Sequence, residues 1–290
     1  MHPRLAKAKR RRVSWKDLVG TVFLASALSL VFWPRHYDVE DYVPRASTAY
    51  WQLSTGSRLG YTRLAPPPQV AVRPTPLIYL HGGPGGVITD AAVAFFEPFA
   101  ALGYEVYLYD QVGSGSSARL DDIRAYTVTR HVADLLEIID SVGTPEVLLV
   151  GHSWGSVLLT EVLKVRPQRV RAAVLTGPGP ILPMARGPRT VLPPDSLDLS
   201  PVALTNRQAA KRTGNLRSMW VEWGARRFGQ KWATDQEMDA FFTTVVTALN
   251  RATFCSPGQA PAASPGQGYY AHHRTVKSFS AVPSGKDALA

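Results

Sequence analysis

The stretch "VLLVGHSWGSVLL", residues 147–159, constrains this chain more tightly than any other. Val147, Leu148, Leu149 and Val150 make a short apolar run, the length and composition of a buried strand. From Gly155 to Arg166, Val157, Leu158, Val162 and Leu163 fall at helical spacing. Between the two, Gly151-His152-Ser153-Trp154-Gly155 fits G-x-S-x-G, a sharp strand-to-helix turn that lifts its serine clear of the sheet. The small glycines permit the strained turn, so Ser153 is expected to be a nucleophile rather than a structural serine. The Trp154 amide is expected to join an oxyanion site.

The rest of the chain supplies a sheet for such a turn. The stretch 49–64 alternates around Thr55-Gly56 and predicts a β-hairpin, followed by strands at 77–80, 104–109, 146–150 and 170–177. Helices are predicted over 90–102, 129–142 and 155–166; Val132, Leu135, Leu136, Ile139 and Val142 share one face of the second. Strands alternating with helices imply a mostly parallel sheet covered on both faces, an α/β fold. After Gly177 the texture turns proline-rich and then helical, at 201–213, 216–228, 235–251 and 269–280, and is expected to form a helical lid.

Two further loops follow strands and carry dense glycine, where open α/β sheets place their sites. The first is "HGGPGG", residues 81–86, whose glycine-freed amides can point at a developing negative oxygen. A tight turn or a phosphate cradle are its other readings, although no G-x-x-x-x-G-K-[ST] pattern is present. The second is "DQVGSGSS", residues 110–117, where Asp110 is expected to order loops through backbone amides, an Asx-type role rather than a catalytic one. His152 is expected to pack away from the nucleophile and His131 to be satisfied or exposed. His272 and His273 lack a second ligand pattern, so no metal and no cofactor are expected. The single cysteine, Cys255, cannot form an internal disulfide.

HGGPGG, then D-Q-x-G-x-G-x-S, then G-x-S-W-G-S, in this order, resemble the proline iminopeptidase group of α/β-hydrolases. The likeness is strong over residues 49–180 and looser through the lid. It implies a serine hydrolase that removes an N-terminal residue, typically proline, from short peptides. Ser153 would be its nucleophile, and the amides of Gly83 and Trp154 its oxyanion hole. His81, Gly82, Pro84, Gly85, Asp110, Gly151 and Gly155 would support the loops. Two departures leave a plain esterase or amidase open: Val112 stands where the group commonly has arginine, and Glu222 falls between Trp220 and Trp223 rather than after them. The resemblance also implies strands after the lid that deliver an aspartate and then a histidine. No such segment follows Ser153, so the chain is expected to be truncated, its C-terminal strands missing, and impaired as an enzyme. A non-catalytic anchored binding protein or remnant is the alternative.

The formal charge of +10 is the last feature to place. Arg4, Lys7, Lys9, Arg10, Arg11 and Arg12 supply six of it, directly ahead of the uncharged run Leu18–Trp33. A basic block before an apolar run is a topology signal rather than a nucleic-acid site. The expected organisation is therefore a basic segment (1–17), a transmembrane or signal-anchor helix (18–33), a linker (34–47), an α/β core (48–179) and a lid (180–290). The expected partners are the membrane, through residues 18–33, and a peptide or small ester or amide substrate. The core would lie outside the cytoplasm, or be secreted if the leader is cleaved near Ala25-Ser26-Ala27.

Overall fold

The structure, a computed structural model, describes residues 14–32, 37–178, 216–253, 257–260 and 262–280. Its centre is a six-stranded sheet: β1 (Thr48–Gln52), β2 (Arg58–Leu64), β3 (Leu77–Leu80), β4 (Val106–Tyr109), β5 (Val147–His152) and β6 (Val170–Thr176), in the order β1-β2-β4-β3-β5-β6. The hairpin strands β1 and β2 are antiparallel, and β2 also pairs antiparallel with β4. From β4 onward every pairing is parallel. β3 lies between β4 and β5, with Leu80 opposite Gly151 and Tyr79 opposite Leu108. This register brings the carboxyl ends of all three strands to one edge, so the three glycine loops meet there. The chain order reverses at β3, the position where open α/β sheets hold their ligands.

Side chains alternate across this sheet, which is why two cores form. On one face Ile78, Leu80, Tyr107, Tyr109, Val147 and Leu149 pack against α3 (Val128–Ser141) and α4 (Trp154–Val165). On the other, Leu77, Val106 and Leu108 pack against Phe96 of α2 (Asp90–Ala101). Thr89 and Thr127 start α2 and α3 by accepting the amides of Ala92 and Arg130, as short hydroxyl side chains at N-caps do. The buried face of α3 is Leu135, Ile138 and Ile139, each worth roughly 1.5–3 kcal/mol by burial.

The helical segment beyond the core comprises α5 (Leu216–Phe228), α6 (Asp235–Thr253) and α7 (Tyr269–Ser280). Met238, Phe241, Tyr269 and Tyr270 join the first core cluster, so these helices are seated on the sheet side that holds α3 and α4. The Tyr270 hydroxyl donates to the Ala233 carbonyl (2.8 Å), and Ser278 Oγ accepts the Val128 amide (3.0 Å). The helix expected over 201–213 and the cysteine Cys255 lie outside the described residues.

Two expectations at the amino end change. The apolar run forms α1 (Trp15–Phe32), but among the described residues no helix is long and apolar enough to cross a membrane. Ser14 and Asp17 exchange capping bonds in its first turn, each side chain accepting the other's amide (3.1 Å each), so Lys16 and Asp17 belong to the helix. The stretch expected as a linker is also docked over residues 37–47. Tyr37 meets Phe241 edge-on, the Tyr42 hydroxyl donates to Asp110, and Arg45 pairs with Asp90 and donates to the Ile88 carbonyl.

Candidate active site

The turn after β5 has the geometry its sequence requires. Ser153 is the one non-glycine residue with positive φ among the described residues, at φ 51° and ψ −115°. An L-residue pays about 1–3 kcal/mol for such a conformation, and it persists because its surroundings hold it. The Ser153 amide donates to the Thr176 carbonyl of β6 (2.9 Å), and its carbonyl accepts the Ser156 amide (3.0 Å). Its side chain makes no capping bond to α4. Gly155 is small because α4 starts hard against β3: a Cβ there would overlap the Leu80 carbonyl.

The HGGPGG loop is laid against this serine. A Cβ on Gly82 would lie 3.0 Å from Ser153 Cβ, so Gly82 and Ser153 touch across the β3–β5 pair. Gly83, next in the chain, has φ +125°, a conformation glycine adopts freely. Trp154 opens α4, where the first amides of a helix have no partner within it. The structure thus brings Gly82-Gly83 and Trp154 to the nucleophile. Pro84 and Gly85 turn the loop toward α7, where the Gly85 carbonyl accepts the Gly268 amide (2.7 Å) and the Pro84 carbonyl meets His272 Nδ1 (2.8 Å).

A buried network fixes the loop and the turn relative to each other. Gln111 is its centre: its amide donates to His81 Nε2 (2.9 Å), its side-chain Nε2 donates to the His81 carbonyl (2.9 Å), and its Oε1 accepts the Trp154 indole N–H (2.8 Å). With Nε2 accepting, His81 carries its proton on Nδ1 and donates it to the Gly82 carbonyl (2.8 Å). Burial lowers the His81 pKa, consistent with this neutral state, although the Asp110 charge acts the other way. Gln111 is the site residue that sequence reasoning missed. Its signal was the D-Q pair, in which only the aspartate was given a role.

Asp110 accepts hydrogen bonds from three separate segments. Its Oδ1 accepts the Ile88 amide (2.7 Å), while its Oδ2 accepts the Ser116 amide (2.9 Å), the Ser116 hydroxyl (2.7 Å) and the Tyr42 hydroxyl (3.1 Å). His131 is also satisfied: it is buried, 3.0 Å from Thr275 Oγ1 and edge-on to Trp154, and burial holds its pKa down at about 3. His152 differs from expectation. Instead of packing inward it is exposed at the end of β5, with Nδ1 3.1 Å from Thr176 Oγ1. Among the described residues no imidazole is hydrogen-bonded to the Ser153 hydroxyl. A cavity of about 830 Å³ opens between Tyr42, Arg119, Asp235 and Asp239, with Gly115 and Ser116 of the second glycine loop in its wall.

Comparison with known proteins finds relatives of part of this chain. A proline iminopeptidase of Heyndrickxia coagulans is 34% identical over 108 residues, 36% of this chain and 35% of that protein. Epoxide hydrolase A of Mycobacterium tuberculosis is 41% identical over 119 residues, 38% of this chain and 37% of that protein. The chain thus spans little more than a third of these curated relatives. Among solved structures, a proline iminopeptidase-related protein from Thermus thermophilus is 30% identical, with 47% of this chain and 45% of that one covered at a TM-score of 0.39. The family described as alpha/beta hydrolase fold matches residues 75–242, which hold all three glycine loops and more than half of the chain. With the strained serine turn and the parallel sheet that carries it, this match makes the protein a member of the alpha/beta hydrolase family.

Proposed function

We propose that the chain is a serine hydrolase of the proline iminopeptidase type, acting on the N-terminal residue of peptides through an acyl-enzyme on Ser153. The observation that carries this reading is the Ser153 backbone, held at φ 51° between β5 and α4 with Gly82 against it. In this reading Ser153 Oγ attacks the scissile carbonyl carbon as a base takes its proton. The carbonyl oxygen becomes an oxyanion facing the Gly83 and Trp154 amides, and each such donor contributes about 3 kcal/mol to the transition state. Collapse expels the amine, and water then releases the acyl group. The similarity to named proline iminopeptidases supports the peptidase activity, while the similarity to an epoxide hydrolase keeps other hydrolyses within the same site.

A serine hydroxyl needs a base at neutral pH, and none is bonded to Ser153 among the described residues. That observation favours a second reading, a non-catalytic binding protein on the same fold. A fluorophosphonate probe separates the two. Labelling that disappears in Ser153→Ala establishes the hydrolase; labelling that survives in Ser153→Ala removes Ser153 as nucleophile, and no labelling of the folded wild-type chain selects the binding protein. The same reading places the domain outside the cytoplasm, membrane-attached or secreted. Its support is the basic block ahead of α1 and the exposed Trp15, Val22, Phe23 and Leu24 of that helix. Cell fractionation, with the chain found in the cytosolic fraction, would refute that placement.

A further inference from the structure

A cavity of about 340 Å³ lies among α5, α6 and α7, lined by Glu222, Arg226, Phe242, Tyr269, His273 and Lys277, with His272 in its wall. His272 connects it to the catalytic loops. The Nδ1 of that residue meets the Pro84 carbonyl, and a Cβ on Gly85 would overlap the Gly268 carbonyl and lie 3.1 Å from the His272 Cβ. One side chain therefore separates this cavity from the glycine loop that faces Ser153.

The chemistry of the walls points to an anionic group. Arg226 and Lys277 bring two cations, and Glu222 one carboxylate, paired with Arg226 one helical turn away. A guanidinium has five N–H donors in a fork, so the Glu222 carboxylate and the Tyr269 hydroxyl leave others to bind an anion. Tyr269 is 3% exposed, with its hydroxyl closed off from the cavity beside Arg226, and burial pushes that phenol up to about 12. His273, stacked on Tyr269, is held down at about 4, first by burial and then by Arg226, Arg274, His272 and Lys277. The field around it is positive. A donor-rich cavity in a positive field has one complementary small group, a carboxylate, which accepts only and matches the guanidinium fork.

We infer that this cavity is a carboxylate subsite: Arg226 and Lys277 bind the anion, and Glu222 competes with it for Arg226. The inference rests on the Ser153 reading and names the substrate class of that site, a peptide or acyl group that carries a free carboxylate. The carboxylate belongs either to the C-terminus of a short peptide or to an acidic acyl group.

Binding is tested first, without catalysis. The full chain is titrated with glutarate and with uncharged glutaramide while the His273 imidazole C–H resonance is followed by proton NMR. Saturable shifts are expected with glutarate, and binding about tenfold weaker or more with glutaramide. Arg226→Met is expected to weaken glutarate binding by a similar factor, and Glu222→Gln to tighten it. Equal responses to the two probes, or weaker glutarate binding in Glu222→Gln, would overturn the subsite. Activity then separates the sources. Faster hydrolysis of Pro-Ala than of Pro-Ala amide assigns the carboxylate to the peptide C-terminus, and faster cleavage of 4-nitrophenyl hemisuccinate than of 4-nitrophenyl butyrate assigns it to the acyl group. Selective glutarate binding in a chain that no fluorophosphonate labels overturns the hydrolase reading and leaves the anion site standing. Labelling at Ser153 without glutarate selectivity overturns the site and leaves the hydrolase.

Discussion

The indole N–H of Trp154 donates to the side-chain oxygen of Gln111 at 2.8 Å, across 43 residues of sequence. Trp154 follows the nucleophile directly, and Gln111 also holds both the backbone and the ring of His81. The bond therefore ties the serine turn to the glycine loop.

Replacing Gln111 by Met removes two side-chain bonds and leaves the Trp154 N–H and the His81 carbonyl buried without partners. A loss of about 1–3 kcal/mol for each orphaned group is expected. Urea denaturation of Gln111→Met, Trp154→Phe and the double variant checks it. The double variant is expected to lose less than the sum of the two, by about 1 kcal/mol, because both remove one bond. Strict additivity would show that the two residues do not act together.

The strain at Ser153 predicts an opposition between stability and function. Ser153→Gly relieves the φ of 51°, whereas Ser153→Ala retains it. The glycine variant is expected to be more stable than the alanine variant by about 1 kcal/mol, even though glycine ordinarily costs stability through chain entropy. Thermal unfolding of the two proteins decides this, and neither should react with a fluorophosphonate.

Gly155 is fixed by contact rather than by φ. The methyl of Gly155→Ala would overlap the Leu80 carbonyl, so α4 must move off β3. A cost of about 1–3 kcal/mol or more is expected from overpacking. Unchanged stability in this variant would mean that the helix start is looser than the structure shows.

The buried histidines set an acid limit. The His131 pKa lies at about 3 in the fold because burial disfavours its charged form, against roughly 6.5 when unfolded. Above about pH 6.5 both states hold the neutral ring and the stability is complete. As the pH falls below that value, the unfolded chain takes up a proton that the folded one refuses. Stability then drops by up to about 1.4 kcal/mol per pH unit for this group, until the folded pKa is reached. His81, also lowered by burial, adds in the same direction. Chemical denaturation between pH 7.5 and 5 should therefore show a shallower decline in His131→Gln than in the wild-type chain, and parallel curves would refute the assignment.

Strand and helix positions were legible because the signals for them are local. The run at 146–150, predicted as a strand, is β5 at Val147–His152, and the helices predicted at 216–228 and 269–280 occupy Leu216–Phe228 and Tyr269–Ser280. Apolar periodicity fixes these, since each element must bury one face. The apolar run at the amino end also forms a helix, which starts at Trp15 rather than Leu18 because Ser14 and Asp17 cap it there. His152 escaped because exposure at a strand end depends on what lies beside it, here Thr176 of β6, 24 residues on.

The sequence by itself determined the strained serine between two glycines, the order of the glycine loops and the alternation that builds a parallel sheet. Each of these depends on residues within a few positions of one another, where steric limits and hydrophobic periodicity act directly. Only the tertiary structure decided that Gln111 joins His81 to Trp154, that Gly82 rests on Ser153, and that Arg226, Tyr269 and Lys277 surround one cavity. Those contacts depend on strand register and helix docking, which bring together groups that sequence spacing leaves unrelated.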